Sequence, residues 1–162
     1  MSYTLPSKII ALCQKHQLSI STCESVTCGL IASYLGSVSG ASHVLKGGIV
    51  AYQTNVKEKL VCVQKSSITK YGTISEVVAQ EMALNTNKLL KSDICISITG
   101  NAGPNPAENK PIGMAYVGLV IIDQVYWKQI KANSNERNQI RLELVNEALE
   151  FVYEKLKGVC HD

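Results

Sequence analysis

The order of its apolar patterns is the feature that most constrains how this chain folds. Strand-like runs alternate with helical patterns up to about residue 100, and two strand-like runs then follow one another directly. Strands that alternate with helices form parallel sheets with helices on both faces, whereas consecutive strands form antiparallel hairpins. The pattern predicts an α/β fold, a three-layer α/β/α sandwich with a mixed β-sheet.

The predicted elements cover most of the chain. We expect strands at about 18–23, 44–52, 93–99, 112–122 and 124–131, the last two forming a hairpin near Asp123. We expect helices at about 7–17, 27–35, 55–61 and 75–90, and a final helix through 140–156. Ser75 has the character of an N-cap, with Glu76 in the first turn, where acidic side chains are favoured. No element is assigned between 62 and 74.

The composition indicates a globular protein. With 162 residues, 46% of them apolar and 18% charged, the chain has the size of one domain, which we place at 1–162. The net charge of +3 is mild and the basic residues are dispersed, so we expect no nucleic-acid partner. No apolar run approaches the roughly 20 residues that span a bilayer, so we expect no membrane partner. The N-terminus has no secretion signal, which makes the cytoplasm the expected location.

The spacings of cysteine and histidine argue against a disulfide framework and a metal site. The six cysteines include no Cys-x-x-Cys pair, and the chain is neither short nor marked for secretion. The three histidines, His16, His43 and His161, are scattered and have no carboxylate at ligand spacing. We therefore expect neither a metal nor a cofactor.

The run from Cys23 to Gly29 is the most informative motif. It lies between a predicted strand and a predicted helix, where free backbone N–H groups converge and the helix dipole favours negative charge. A nucleophilic Ser25 at such a turn has backbone donors in place for a developing oxyanion. From this run alone, an N-cap role for the serine stays open. So does a nucleophilic Cys28, because a thiol at a helix N-terminus has a lowered pKa.

Lysine is the candidate base for this serine, because no histidine lies near a serine-rich motif. Lys57 follows the second predicted strand, which ends at Tyr52, and open α/β sheets bind ligands beyond the carboxyl ends of their strands. Desolvation lowers the pKa of a lysine toward neutrality and allows it to act as a base. The spacing alone does not bring Ser25 and Lys57 together, and an ordinary surface lysine is the alternative.

Two further segments have the composition of a ligand-binding site. The loop 100–111 follows the clearest strand and combines glycines, which permit close approach to a ligand, with three of the four prolines. Arg137 and Arg141 lie on one helix face near its start. Cations there oppose the helix dipole, so an anionic ligand bound by the two arginines would explain their position. For the loop, the alternative is an ordinary crossover connection. For the arginines, the alternative is a solvated pair neutralised by Glu136 or Glu143.

In this order the motifs resemble those of the CinA C-terminal domain, or nicotinamide-nucleotide amidohydrolase, family. The resemblance covers nearly the whole chain, from about Leu5 to Leu156. It rests on six segments in register, which are 24–29, 48–52 with 56–57, 71–76, 99–104, 110–113 and 137–141.

The resemblance implies hydrolysis of the carboxamide of nicotinamide mononucleotide, which gives nicotinic acid mononucleotide and ammonia. It implies a nucleophilic Ser25, the base Lys57 and a supporting Tyr52, without metal or cofactor. We assign substrate binding to the turn, the loop and the last helix, at Thr27, Cys28, Gly29, Thr99, Gly100, Gly103, Arg137 and Arg141. The expected partners are a small pyridine nucleotide and further copies of the chain, in a dimer or a larger homo-oligomer.

The sequence departs from the family pattern close to these residues. Cys28 stands where the family has glycine, and a side chain there is expected to crowd the backbone near the nucleophile. Asn101 replaces an apolar residue, and Asn105-Pro106 replaces further glycines. These departures support an alternative function, a catalytically weakened nucleotide-binding or oligomeric scaffold protein of the same fold.

Overall fold

The computed structural model describes residues 4–160, and a five-stranded mixed β-sheet forms its centre. The strands are β1 (Ile20–Glu24), β2 (Leu45–Val50), β3 (Ile94–Gly100), β4 (Met114–Ile121) and β5 (Gln124–Lys131). Their order in the sheet is β2-β1-β3-β4-β5. The first three are parallel, whereas β4 is antiparallel to β3 and β5. The predicted mixed sheet is confirmed.

Helices cover both faces of the sheet, which confirms the three-layer architecture. They are α1 (Leu5–Lys15), α2 (Leu30–Gly36), α3 (Thr54–Lys59), α4 (Lys65–Tyr71), α5 (Glu76–Leu90) and α6 (Arg137–Cys160). The helices α1, α2 and α6 pack together against one face, and α5 packs against the other. None of the helices within residues 4–160 has the length and apolar character needed to cross a bilayer.

The central strand β3 shows how the sequence produces these layers. Ile94, Ile96 and Ile98 belong to the apolar core beneath α1, α2 and α6, whereas Cys95 packs with Ala83 of α5 on the opposite face. Successive side chains of a strand point to opposite faces, so a strand covered on both sides is apolar almost throughout. Each fully buried isoleucine contributes about 1.5–3 kcal/mol relative to an exposed one.

The structure differs from the sequence prediction in two places. Helix α4 was not predicted, because it is short and has no buried residue, and therefore no apolar period marks it. Helix α2 begins at Leu30 rather than at residue 27, because the backbone at Cys28 and Gly29 is left-handed, with φ angles of 52° and 92°. The N-cap at Ser75 is confirmed, since its hydroxyl accepts the Val78 N–H at 3.3 Å. Met1–Tyr3 and His161–Asp162 lie outside the described residues.

The three parallel strands place a group of loops at one edge of the sheet. Because β1, β2 and β3 run in the same direction, their carboxyl ends meet there. Ser25 directly follows β1, Tyr52 lies two residues after β2, and Asn101 directly follows β3. This edge is the position at which open α/β sheets bind ligands.

Candidate active site

Ser25 lies at the point where β1 gives way to a tight turn. Its backbone N–H donates to Ile98 O of β3 at 3.0 Å, and its carbonyl accepts the Cys28 N–H at 3.0 Å. These two bonds fix the backbone on both sides of the hydroxyl. The Ser25 side chain is thus held at the carboxyl edge of the sheet by the neighbouring strand β3 and by the turn.

The structure brings Ser25 and Lys57 together. The Lys57 amine lies 2.9 Å from Ser25 Oγ, and it also contacts the backbone carbonyls of Ala51 at 2.8 Å and Tyr52 at 2.9 Å. Lys57 is 2% exposed, so the surface-lysine alternative is wrong. Helix α3 follows β2 after a short connection, and this carries the lysine back over the end of β1.

The surroundings of Lys57 favour its neutral form. Burial lowers the pKa of Lys57 below its ordinary value of 10.5, and the influence of Cys23 and Glu108 opposes this shift only in part. Burial raises the pKa of the Cys23 thiol to about 11, so Cys23 supplies no negative charge near neutral pH. A neutral amine has two N–H donors and one lone pair. In the structure the amine donates to Ser25 Oγ and to both carbonyls; after loss of one proton, the two remaining N–H groups would keep the carbonyl contacts and the lone pair would accept from the Ser25 hydroxyl.

Glu24 is a functional residue that the sequence analysis did not identify. Its buried carboxylate accepts the Thr27 hydroxyl at 2.6 Å and the backbone N–H groups of Gly29, Ile31 and Ala32 at 2.8–3.0 Å. The expectation that the first amides of α2 are free for a ligand is therefore wrong. A carboxylate at a helix N-terminus satisfies these donors and interacts favourably with the helix dipole.

The cap formed by Glu24 also determines the roles of Thr27 and Gly29. The Thr27 hydroxyl and the Gly29 N–H are used within the protein by Glu24, and Thr27 is completely buried. Neither residue lines the pocket described below. Their place in the site is structural, since they hold the turn that presents Ser25.

Cys28 does not crowd Ser25, contrary to the expectation from the family pattern. Its side chain is exposed, and it does not line the pocket at Ser25. Lys57 contacts the hydroxyl of Ser25, which argues against Cys28 as the nucleophile. The cost of the cysteine is conformational, because a φ of 52° suits glycine better than a residue with a side chain.

We expect Cys28→Gly to stabilise the protein by about 1 kcal/mol, because it relieves this left-handed strain. The greater freedom of glycine in the unfolded chain offsets part of the gain. Urea denaturation of both proteins measures the difference. A loss of stability would show that the cysteine side chain makes contacts that outweigh its backbone cost.

The pocket at Ser25 and Lys57 has a volume of about 200 Å³. It is smaller than the roughly 300–1,000 Å³ of typical ligand sites, so it accepts part of a nucleotide-sized molecule rather than the whole. The other lining residues come from the turn, the ends of β2 and β3, the segment before α5 and the start of α6: Val26, Tyr52, Thr54, Thr73, Ile74, Thr99, Gly100, Asn101, Ala102, Ala107 and Arg137.

Of the assigned substrate-binding residues, Thr99, Gly100 and Arg137 line the pocket. The Thr99 hydroxyl donates to Thr73 O at 2.7 Å and so joins β3 to the segment before α5. A Cβ atom at Gly100 would lie 2.4 Å from Ala115 Cβ, so this glycine is required for packing against β4. Gly103 is outside the pocket lining, and its carbonyl accepts a hydrogen bond from Arg137.

Two side chains shape the loop after β3. The Asn101 side chain accepts the Gly103 N–H at 2.9 Å and donates to Asn105 O at 3.2 Å, so the unusual asparagine organises the loop.

Glu108, which the sequence analysis missed, joins this loop to the wall of the pocket before α5. Its carboxylate accepts the Thr73 and Ile74 N–H groups, each at 2.9 Å. Partial burial acts to raise the pKa of Glu108, but these hydrogen bonds and Lys110 lower it overall.

The two arginines have different surroundings. Arg137 is exposed at the pocket, where it donates to the Tyr52 hydroxyl at 2.9 Å and to the Gly103 carbonyl. Arg141 is outside the pocket lining. Its guanidinium donates to the carbonyls of Val26 at 3.1 Å and Thr27 at 3.0 Å. Arg141 is thus attached to the turn rather than free for a ligand.

No group of three or more His, Cys, Asp or Glu side chains within residues 4–160 is arranged to hold a metal ion. A larger depression of about 440 Å³ lies near Gln14 and His43, away from Ser25. Its lining includes Ser19, whose hydroxyl donates to the Asp93 carboxylate at 2.6 Å, and within the described part of the chain it includes no lysine. The pocket at Ser25 is therefore the candidate active site.

Comparison with known proteins decides the family. The sequence profile described as the CinA C-terminal domain matches residues 2–156. The chain belongs to the CinA C-terminal domain family. Protein MG115 of Mycoplasma genitalium is 40% identical over 124 residues, which cover 76% of this chain and 79% of that protein. A CinA-like protein of Kosmotoga olearia is 39% identical over 150 residues, or 92% of this chain.

Solved structures of the CinA superfamily have the same fold. The competence/damage inducible protein CihA of Agrobacterium tumefaciens is 30% identical, with a TM-score of 0.88 and coverage of 94% of this chain and 93% of that one. A CinA superfamily protein of Klebsiella pneumoniae is 22% identical with a TM-score of 0.92, and covers 95% of this chain and 96% of its own. The chain spans only 36% of the Kosmotoga relative, so the CinA C-terminal domain is one part of that longer protein.

Proposed function

We propose that this protein hydrolyses the carboxamide of nicotinamide mononucleotide to nicotinic acid mononucleotide and ammonia. The observation that carries the proposal is the buried Lys57 amine, 2.9 Å from the Ser25 hydroxyl, with uncharged oxygens as its other partners. This arrangement supports a serine nucleophile activated by a lysine base. The family resemblance points to the substrate.

In the first half of the reaction, Ser25 Oγ attacks the carboxamide carbon and its proton passes to Lys57 Nζ. The carbonyl oxygen of the substrate becomes an oxyanion. When the intermediate collapses, the C–N bond breaks and Lys57 returns its proton to the departing nitrogen, which leaves as ammonia. The serine is then joined to the substrate through an ester.

Backbone donors for the oxyanion are present next to Ser25. Within residues 4–160, the N–H groups of Val26 and Thr27 have no hydrogen-bond acceptor, whereas the other amides from Ser25 to Ala32 each have one. We assign the Val26 amide to the oxyanion, in place of the helix amides that Glu24 occupies, because Val26 lines the pocket whereas Thr27 is fully buried and does not. One such donor contributes about 10²–10³-fold to the rate.

In the second half, a water molecule attacks the ester carbon and gives a proton to Lys57. The second oxyanion collapses, the bond to Ser25 Oγ breaks, and Lys57 reprotonates the serine. The products are regenerated protein and nicotinic acid mononucleotide, whose carboxylic acid then loses its proton to the solvent. Tyr52 supports this cycle twice, because its carbonyl holds the Lys57 amine and its hydroxyl accepts from Arg137.

Arg137 is the residue that we assign to the phosphate. The pocket holds only part of the nucleotide, and Arg137 is exposed at its lining, where its partners among the described residues are the uncharged oxygens of Gly103 and Tyr52. A phosphate is a stronger acceptor than either, and an arginine guanidinium matches its geometry. The carboxamide and its ring then enter the pocket while the phosphate stays at the mouth.

We expect Arg137→Ala to weaken binding of nicotinamide mononucleotide by about ten- to a hundredfold, since a hydrogen bond to a charged group contributes about 1.5–3 kcal/mol. Binding of the phosphate-free riboside should change less. Calorimetric titration of both ligands measures the two losses. Gln139→Ala, at an exposed position in the same helix, is the matched control. Equal losses for both ligands would assign Arg137 to the support of Tyr52 and the loop.

A panel of carboxamides tests the proposed substrate. Nicotinamide mononucleotide, its riboside, free nicotinamide and an amino-acid amide are incubated with the protein, and ammonia is measured. We expect the nucleotide to be hydrolysed with the highest kcat/KM. The scaffold alternative loses its main support, because Cys28 lies outside the pocket lining and leaves the Ser25–Lys57 contact intact. Our proposal also includes a cytoplasmic homo-oligomer, as the family resemblance implies.

A further inference from the structure

Arg141 joins the last helix to the turn that carries the nucleophile. Its Nε donates to Val26 O at 3.1 Å, and one terminal nitrogen donates to Thr27 O at 3.0 Å. The other terminal nitrogen donates to the Asn138 side chain at 3.1 Å, which orients the guanidinium from its own helix. A rigid planar fork therefore holds two successive carbonyls of a turn that lies more than a hundred residues earlier in the chain.

The position of these carbonyls determines where the neighbouring amides point. In a planar trans peptide the C=O and the following N–H point in opposite directions. By binding the Thr27 carbonyl, Arg141 fixes the peptide whose N–H belongs to Cys28, and this N–H donates to Ser25 O at 3.0 Å. The Val26 N–H is fixed in a similar way, because the Ser25 carbonyl is bound by the Cys28 N–H.

The hydrogen bonds around the turn indicate which of its amides remain available to an anion. Glu24 and the turn carbonyls use the surrounding amides, and only those of Val26 and Thr27 lack an acceptor among the described residues. Val26 is 5% exposed and Thr27 is fully buried, so bulk water has little access to them. Buried amides without an acceptor are costly, and their persistence next to a nucleophile is typical of a preorganised anion site.

We propose that Arg141 is a positioning residue that holds the turn so that the Val26 amide faces the oxyanion formed on Ser25. This inference rests on the proposed function for its substrate, but it applies to any reaction in which Ser25 Oγ forms a bond to an electrophile. Arg141 does not contact the substrate. It acts through the turn, and it contributes to the transition state rather than to ground-state binding.

The test compares Arg141→Ala and Arg141→Lys with the wild type and with Gln139→Ala as the control. We expect Arg141→Ala to lower kcat by about ten- to a hundredfold, since a small misplacement of catalytic groups costs up to about 10²-fold. KM for nicotinamide mononucleotide should change less than about threefold. Arg141→Lys should recover only part of the loss, because an ammonium lacks the planar fork. Added guanidinium, well below denaturing concentrations, should restore part of the kcat of Arg141→Ala.

A fluorophosphonate probe provides a readout that does not depend on the amide substrate. Ser25 Oγ forms a bond to phosphorus, the P–F bond breaks, fluoride leaves, and the serine proton passes to Lys57. We expect Arg141→Ala to slow this labelling by a factor similar to its loss of kcat. If the wild type hydrolyses no amide but is labelled at Ser25 in an Arg141-dependent manner, the proposed function fails and the positioning role stands.

Three results would overturn the positioning role. The first is unchanged kcat and labelling in Arg141→Ala. The second is a raised KM for the nucleotide alone with kcat preserved, which would make Arg141 a phosphate ligand. The third is a loss of activity that tracks a loss of folded protein in circular dichroism and that guanidinium does not restore. If Arg141→Ala does not fold, Arg141→Lys carries the same comparison.

Discussion

Ser25→Ala is expected to reduce ammonia release from nicotinamide mononucleotide by at least about 10⁴-fold, because loss of a nucleophile removes the covalent route altogether. The fold should be unchanged, since the substitution deletes one hydroxyl whose contact is the Lys57 amine. Steady-state ammonia assays on both proteins measure the loss. Thermal unfolding verifies that the variant is folded.

Ser37→Ala is the matched control for this variant. Ser37 is an exposed serine just after α2, and its hydroxyl donates to Tyr34 O at 2.7 Å. It should therefore keep wild-type turnover. If Ser25→Ala also retained turnover, Ser25 would be a structural residue and the reaction would need another nucleophile.

Lys57→Met should lower kcat/KM by about 10²–10⁴-fold, the usual effect of losing a general base. Methionine keeps the length of the apolar stem but has no proton acceptor for the Ser25 hydroxyl. Lys59→Met is the matched control, because Lys59 is exposed in the same helix. A loss below about tenfold in Lys57→Met would remove the lysine from the mechanism.

The pH dependence of the wild type tests the same role for Lys57. Activity needs the neutral amine, so kcat/KM should rise with pH through an apparent pKa below the ordinary 10.5 of lysine. The free energy of unfolding should also rise with pH between the lowered pKa and 10.5. In that range the unfolded chain binds a proton that the folded protein does not. Lys57→Met should lack this component of the pH dependence.

Burial of Lys57 costs stability, and in the proposed mechanism the same burial makes the amine a stronger candidate for the base. An ammonium without a charged partner is unfavourable in a buried site, and the group responds by losing its proton more readily. The carbonyls of Ala51 and Tyr52 keep the amine in place at little electrostatic cost to the neutral form. A reactive base is thus obtained from a residue that is usually solvated and protonated.

The sheet and most helices could be predicted from the sequence because local patterns determine them. The alternating isoleucines of β3 and the N-cap at Ser75 are visible within a few residues. The pairing of Ser25 with Lys57 was different, since the spacing of 32 residues carries no information about contact. The family resemblance supplied that pair, and the structure provides its geometry.

The contacts that the sequence did not identify join residues across long separations or lie inside a local cap. Arg141 was assigned to the substrate, but it contacts a turn 114 residues earlier at Thr27, and Glu108 contacts the segment before α5 at Thr73. No local pattern distinguishes such a side chain from an ordinary surface charge. The sequence carries a partial signal for Glu24, because an acidic residue just before a helix start is favoured as a cap. The N-cap role that the sequence leaves open for Ser25 is performed by the carboxylate of Glu24.

The proposed hydrolysis is tested most directly by incubating the purified protein with nicotinamide mononucleotide and quantifying both products. We expect ammonia and nicotinic acid mononucleotide in equal amounts, at a rate proportional to protein concentration and absent with Ser25→Ala. Folded wild-type protein that releases neither product, over a pH range extending to full deprotonation of Lys57, would contradict the proposal.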